Sequence, residues 1–182
     1  MKDVERKLIE RASELLKDGT VQRVVGWKKG EFIYDPSPAT FETEEQLKDF
    51  TYNDFCGANL SKYLIEISKK EGKTAVFLKP CDTYSFNQLV KEHRIKRENV
   101  YVVAVECQGK LNVNRLTEKG ISAIEDEDYS GEEVLLKTAF GDVKTNKSEV
   151  LLEKCHTCKS KKFAVSDEEI VPHEMAESNA VR

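Results

Sequence analysis

The chain has 182 residues, about the length of one domain and enough to bury a core without disulfide staples. Charged residues make up 34% of it, yet the net charge is only −4, which gives no reason to expect nucleic acid or an anionic membrane as a partner. No apolar run approaches the roughly 20 residues of a membrane span, and Met1-Lys2-Asp3-Val4-Glu5-Arg6 lacks the apolar centre of a signal peptide, so a cytoplasmic protein is expected.

The apolar positions Val4, Leu8, Ile9, Ala12, Leu15 and Leu16 recur at helical spacing, which predicts an amphipathic helix over residues 3–17 ended by Gly19. Residues 21–27 read as a strand, 26–30 as a turn and 31–34 as a second short extended piece. The two prolines of Asp35-Pro36-Ser37-Pro38 are expected to break regular structure, and Thr43-Glu44-Glu45-Gln46 resembles a helix start. Residues 54–60 lead into a helix with Leu60, Tyr63, Leu64 and Ile67 on one face, which puts Cys56 near its N-terminus.

Residues 74–78 are a short apolar run between Gly72 and Pro80, the pattern of a strand buried on both faces. Cys81 follows directly, then Asp82 and Thr83 as helix-cap residues, a crossover helix with a basic end around His93, and a second buried strand over residues 100–105. Cys107 lies just past that strand. A right-handed strand, helix and strand unit has parallel strands, so Cys81 and Cys107 should emerge at the same carboxyl edge of the sheet. Beyond it the sequence predicts a short helix or turn at 117–122, an acidic loop at 125–133 and a hairpin turning at Gly141-Asp142. A short helix over residues 147–154 then delivers Cys155.

The expected fold is therefore α/β, a small, mostly parallel sheet with flanking helices and an appended β-hairpin. One domain should cover residues 1–165, with a flexible C-terminal tail over 166–182.

Five cysteines, an odd number, argue against a disulfide framework and for metal binding or redox chemistry. In Cys155-His156-Thr157-Cys158, two thiols three positions apart can grip a metal, and the fold rather than the spacing would bring other cysteines to them. Thiolates are favoured at helix N-termini, the places read for Cys56 and Cys81. The chemistry stays open at this point between zinc, with His156 a possible ligand, an iron–sulfur cluster and a dithiol couple, while any isolated cysteine can equally be a packed small side chain.

Three blocks carry a resemblance: residues 54–60 around Cys56, Lys79-Pro80-Cys81-Asp82-Thr83 with residues 97–109 ending Glu106-Cys107-Gln108-Gly109, and Cys155-His156-Thr157-Cys158 followed by a charged stretch and Asp167. Over about residues 20 to 170 the chain resembles the coenzyme F420 hydrogenase and dehydrogenase beta subunit family. The nearest likeness is to the N-terminal domain of ferredoxin-fused relatives found with hydrogenase, formate dehydrogenase and heterodisulfide reductase-like complexes.

The resemblance implies a 4Fe-4S cluster, with Cys107, Cys155 and Cys158 as ligands and Cys81 ahead of Cys56 for the fourth place. It implies an electron-transfer subunit relaying electrons between a ferredoxin-like partner and a redox enzyme. Deazaflavin-reducing members of the family also bind FAD, but this chain has no GxGxxG phosphate loop. The alternative from another class is a zinc-stabilised interaction domain with no redox role.

Overall fold

The computed structural model describes residues 2–130, 132–159 and 162–170. Its first element is the expected helix, α1 (Lys2–Lys17), which buries Val4, Leu8, Ala12 and Leu15 along one stripe. Asp3 and Glu5 in its first turn and Lys17 in its last complement the helix dipole.

The main sheet opens with β1 (Arg23–Lys28), followed by β2 (Ser37–Phe41) and the two-residue β3 (Phe50–Thr51), both antiparallel to β1. Residues 31–34 are a turn rather than a strand, and the proline-bearing stretch expected to break structure supplies β2 instead. The reason is position: β2 is the outermost strand, and Pro38 stands opposite Trp27, where a proline at a sheet edge leaves no interior amide unsatisfied. Residues 45–49 form only a tight 3-10 turn before the chain enters β3.

A second 3-10 turn (Leu60–Tyr63) runs into the one-turn helix α2 (Leu64–Ile67), and the chain returns to the sheet as β4 (Thr74–Leu78). All five residues of β4 are buried, as the unbroken apolar run predicts. The crossover helix α3 (Pro80–Lys91) leads to β5 (Val100–Val105), parallel to β4 with Leu78 beside Ala104. Burial of β4 along its whole length requires cover on both faces, and α1 and α3 both pack against it.

After β5 come α4 (Val113–Glu118) and three antiparallel strands, β6 (Ile124–Ser130), β7 (Glu133–Thr138) and β8 (Gly141–Asn146). The appended hairpin is thus a three-stranded sheet, and the acidic loop is its first strand. The acidic composition concealed the strand, and in the fold two of its acidic residues have specific partners: Asp126 is bonded by Lys2 at 2.7 Å, and Glu127 accepts the Asp54 amide at 2.7 Å. The short helices α5 (Lys147–Val150) and α6 (Glu153–His156) follow, the predicted single helix being interrupted at Leu151 and Leu152.

The last described strand, β9 (Glu168–Ile170), lies parallel to β5 and completes the order β2-β1-β4-β5-β9. These three residues fall within the stretch expected to be a tail, of which residues 166–170 are described and residues 171–182 lie outside the described residues. Asp167 pins β9 in place, its carboxylate accepting the Val102 amide and one Arg97 N–H, each at 2.7 Å.

The molecule has two apolar clusters. The larger joins α1, the main sheet and α3, and includes Trp27, Phe50, Phe77 and Phe86. The smaller lies under the three-stranded sheet and gathers Phe55, Leu111, Leu116, Val134, Leu136 and Val150. No described helix is long and apolar enough to cross a membrane.

Candidate functional site

The carboxyl edge of β4 and β5 faces the seam between the two clusters. Pro80 is the first residue of α3, where its missing amide is no loss, so Cys81 falls in that helix's first turn. Cys107 lies two residues beyond β5. An antiparallel bridge between Leu111 and Leu151, with Leu152 N–H donating to Lys110 O at 2.8 Å, brings the chain back beside Cys107. The α6 turn then presents Cys155, and Cys158 follows one turn later, its amide bonded to Cys155 O at 3.4 Å.

Cys81, Cys107, Cys155 and Cys158 line one cavity of about 100 Å³. All four are half-buried. Cys56 does not join them: it is fully buried in the larger apolar cluster, its sulfur within 3.5 Å of Asn53 N and Asn53 Oδ1. Residues 56–59 also precede only a 3-10 turn, so Cys56 has no α-helical N-terminus to lean on. His156 points elsewhere as well, exposed and bonded through Nε2 to Arg115 Nη1 at 2.9 Å. Among the described residues, no three His, Cys, Asp or Glu side chains converge closely enough to hold a single metal ion.

Two buried lysines line the same cavity, and the sequence reading did not single them out. Lys79 is 1% exposed, pairs with Asp82 at 2.8 Å, donates to Ala58 O at 2.8 Å and lies 4.6 Å from the centre of the Trp27 ring. Lys110 donates to Asn53 O at 2.9 Å and to Asp54 Oδ1 at 3.1 Å, over the Tyr52 ring. The sequence signal was a charge inside an otherwise apolar stretch, Leu78-Lys79-Pro80 and Gly109-Lys110-Leu111. Asp82, expected as a cap, is instead the buried partner of Lys79, and Thr83 bridges Pro80 O and the Ala164 amide.

Burial favours the neutral thiol at three of the cysteines. Burial, and then the Asp82 charge, pushes Cys81 up to about 12; burial raises Cys155; burial pushes Cys56 up to about 11. The thiolate expected of Cys81 from its helix N-terminus is thus opposed by its own neighbour. Burial works against the Lys110 ammonium, but the buried Asp54 carboxylate at 3.1 Å holds it charged. Gly109 is required here by geometry: its φ is +106°, and a Cβ on it would stand 2.7 Å from Leu151 Cδ2.

Fold and site together define a class: an α/β domain that gathers cysteines and buried cations at the carboxyl edge of a parallel sheet. No family model matches the sequence. The chain is 31% identical over 97 residues to the F420-dependent formate dehydrogenase 1 subunit beta of Methanococcus maripaludis, a match covering 53% of this chain and 25% of that protein. It is 30% identical over 98 residues to the F420-dependent formate dehydrogenase subunit beta of Methanocaldococcus jannaschii, covering 54% and 26%. The matched stretch is thus about a quarter of each curated relative's length.

The fold is shared with a chain of the F420-reducing [NiFe] hydrogenase complex from Methanosarcina barkeri, with a TM-score of 0.66 at 13% identity over 84% of this chain and 62% of that one. The chain is thus similar in sequence, over about half its length, to beta subunits of F420-dependent formate dehydrogenases and in fold to a chain of an F420-reducing hydrogenase complex, in line with the resemblance of its sequence.

Proposed function

We propose that this chain is an electron-transfer subunit of an anaerobic oxidoreductase complex, holding an iron–sulfur cluster on Cys81, Cys107, Cys155 and Cys158. The observation that carries the reading is that three separate stretches of chain bring these four cysteines to the lining of one cavity. A ring of thiols about a space suits a polynuclear cluster, whose four ligands bind different irons. Lys79 and Lys110 suit it too, since a thiolate-bound cluster is anionic and buried cations favour its charge. When bound, such a cluster accepts and donates single electrons.

The chain's own residues set the conditions. Lys79 and Lys110 are each fixed by a buried carboxylate, so their charges stay in place as electrons come and go. The thiols must lose their protons on loading, which makes loading favourable at higher pH. Lys154 closes one side by bonding Gly57 O at 2.6 Å, while exposed residues of α6 face solvent where a ferredoxin-like partner or another subunit of the complex could dock. The turn from β4 into α3 carries Pro80, which has no amide to offer a phosphate there.

The test is iron and sulfide analysis on protein purified and reconstituted without air, with visible absorption and electron paramagnetic resonance after reduction. Stoichiometric iron and sulfide, lost in Cys107→Ser and Cys155→Ser but kept in Cys56→Ser, is the expected result. Colourless protein holding stoichiometric zinc would replace the relay with a structural metal domain. Equal iron in all three variants would overturn the ligand assignment.

A further inference from the structure

A second cavity, of about 300 Å³, lies away from the cysteines, between the N-terminal end of α1, the turn at residues 29–36 and β6. Its volume is within the range of small-molecule sites. Phe32 and Ile33 form an apolar wall, and Phe32 is braced from outside by Tyr34, the two rings stacked 5.2 Å apart and 6° from parallel. Half of Phe32 is exposed. Tyr52, 1% exposed, forms part of the floor.

Glu127 also lines the floor and is 7% exposed. Its Oε1 accepts the Asp54 amide, while its Oε2 is fully buried and has no hydrogen-bond partner among the described residues. A buried carboxylate oxygen without a partner is costly, and such a group at the bottom of a cavity is satisfied by what enters. The lining as a whole carries five carboxylates against two lysines. Both lysines are engaged, Lys2 with Asp126 at 2.7 Å and Lys29 with Lys48 O at 3.1 Å. The balance repels phosphates and carboxylates and attracts cations.

From the aromatic wall and the lone oxygen together, we propose that this cavity binds a small planar organic cation, its ring against Phe32 and its N–H edge donating to Glu127. An amidinium or aminopyridinium group has this chemistry, with flat donors that match a carboxylate and charge that suits an aromatic face. The cavity shares no lining residue with the cysteine cavity, and the proposal does not depend on what that cavity holds.

The probe is benzamidine, titrated at pH 8, where Glu127 is ionised, into the isotope-labelled full chain and followed by amide resonances, with benzoate as the same ring bearing the opposite charge. The expected result is saturable shifts confined to residues 31–33, 52–54 and 127, with no response to benzoate. Glu127→Gln should weaken benzamidine binding at least tenfold, and Phe32→Ala, at a half-exposed position that leaves the fold intact, by several-fold. Shifts that fail to saturate, binding of benzoate with similar strength, or affinity unchanged by Phe32→Ala would each overturn the proposal.

Discussion

Glu127 shows how a single residue can carry a pH signature. Burial, and then the nearby Asp54 charge, raises its carboxyl to about 7 against an ordinary value of 4.5. The folded protein therefore holds a proton that the unfolded chain has released, and between about pH 4.5 and 7 stability falls as pH rises. The contribution lost is on the order of 3 kcal/mol, and melting followed by circular dichroism from pH 5 to 8 should show the decline. Glu127→Gln, which never ionises, should flatten the profile; an unchanged slope in the variant would assign the effect elsewhere.

His93 offers a second residue-scale prediction. It sits just past α3 with φ +56°, and its amide and that of Arg94 bond back to Val90 O and Leu89 O at 2.9 Å. This is the left-handed helix stop that glycine usually occupies. His93→Gly should raise stability by about 0.5–1 kcal/mol in urea unfolding, because the side chain's steric cost is removed while the stop is kept. The basic end of the crossover helix was legible in the sequence; its left-handed turn on a histidine was not.

At the scale of elements, the join between β4 and α3 depends on a pair that the sequence displays but does not explain. Lys79 and Asp82 are each 1% exposed, and Lys79 also bonds Ala58 O, which ties the loop at residues 56–59 to the sheet edge. Lys79→Met leaves Asp82 as a buried, unpaired charge and should cost about 3–5 kcal/mol of stability. Replacing both, with Asp82→Leu added, should recover much of that loss, a difference chemical denaturation can read. Cysteine loading in the double variant should still fall, since the cavity would have lost a cation.

The β6 strand carries the complementary lesson. Its residues Glu125-Asp126-Glu127-Asp128 have the composition of a solvated loop, and no periodicity marks them as extended. Strand pairing with β7 and specific partners for Asp126 and Glu127 override that composition. Likewise Pro38 was a breaker by sequence and an edge-strand residue in space. In both cases the deciding neighbour is distant along the chain.

For the whole molecule, the cysteine cavity bridges two apolar clusters. Cys81 and Cys107 hang from the main sheet, whereas Cys155 and Cys158 follow the strand-like bridge at Leu151, beside the smaller cluster. A group bound by all four therefore ties the two halves, and ligand binding to the folded state alone raises stability. Cluster-loaded protein should melt several degrees above the cluster-free chain by calorimetry without air. The increment should vanish in Cys155→Ser with Cys158→Ser and persist in Cys56→Ser, whose own cost is a packing loss in the core.

The sequence by itself determined the α1 stripe, the buried β4 and β5 strands with their right-handed crossover, and hence the placing of Cys81 and Cys107 at one sheet edge. These follow from local periodicity and from a handedness rule that needs no distant contact. Only the tertiary structure decided that Cys155 and Cys158 reach that edge while Cys56 is sealed in the core, and that Lys79 and Lys110 share the cavity. Those outcomes depend on which buried charges find partners and which turns pack across the seam, terms that involve residues tens of positions apart.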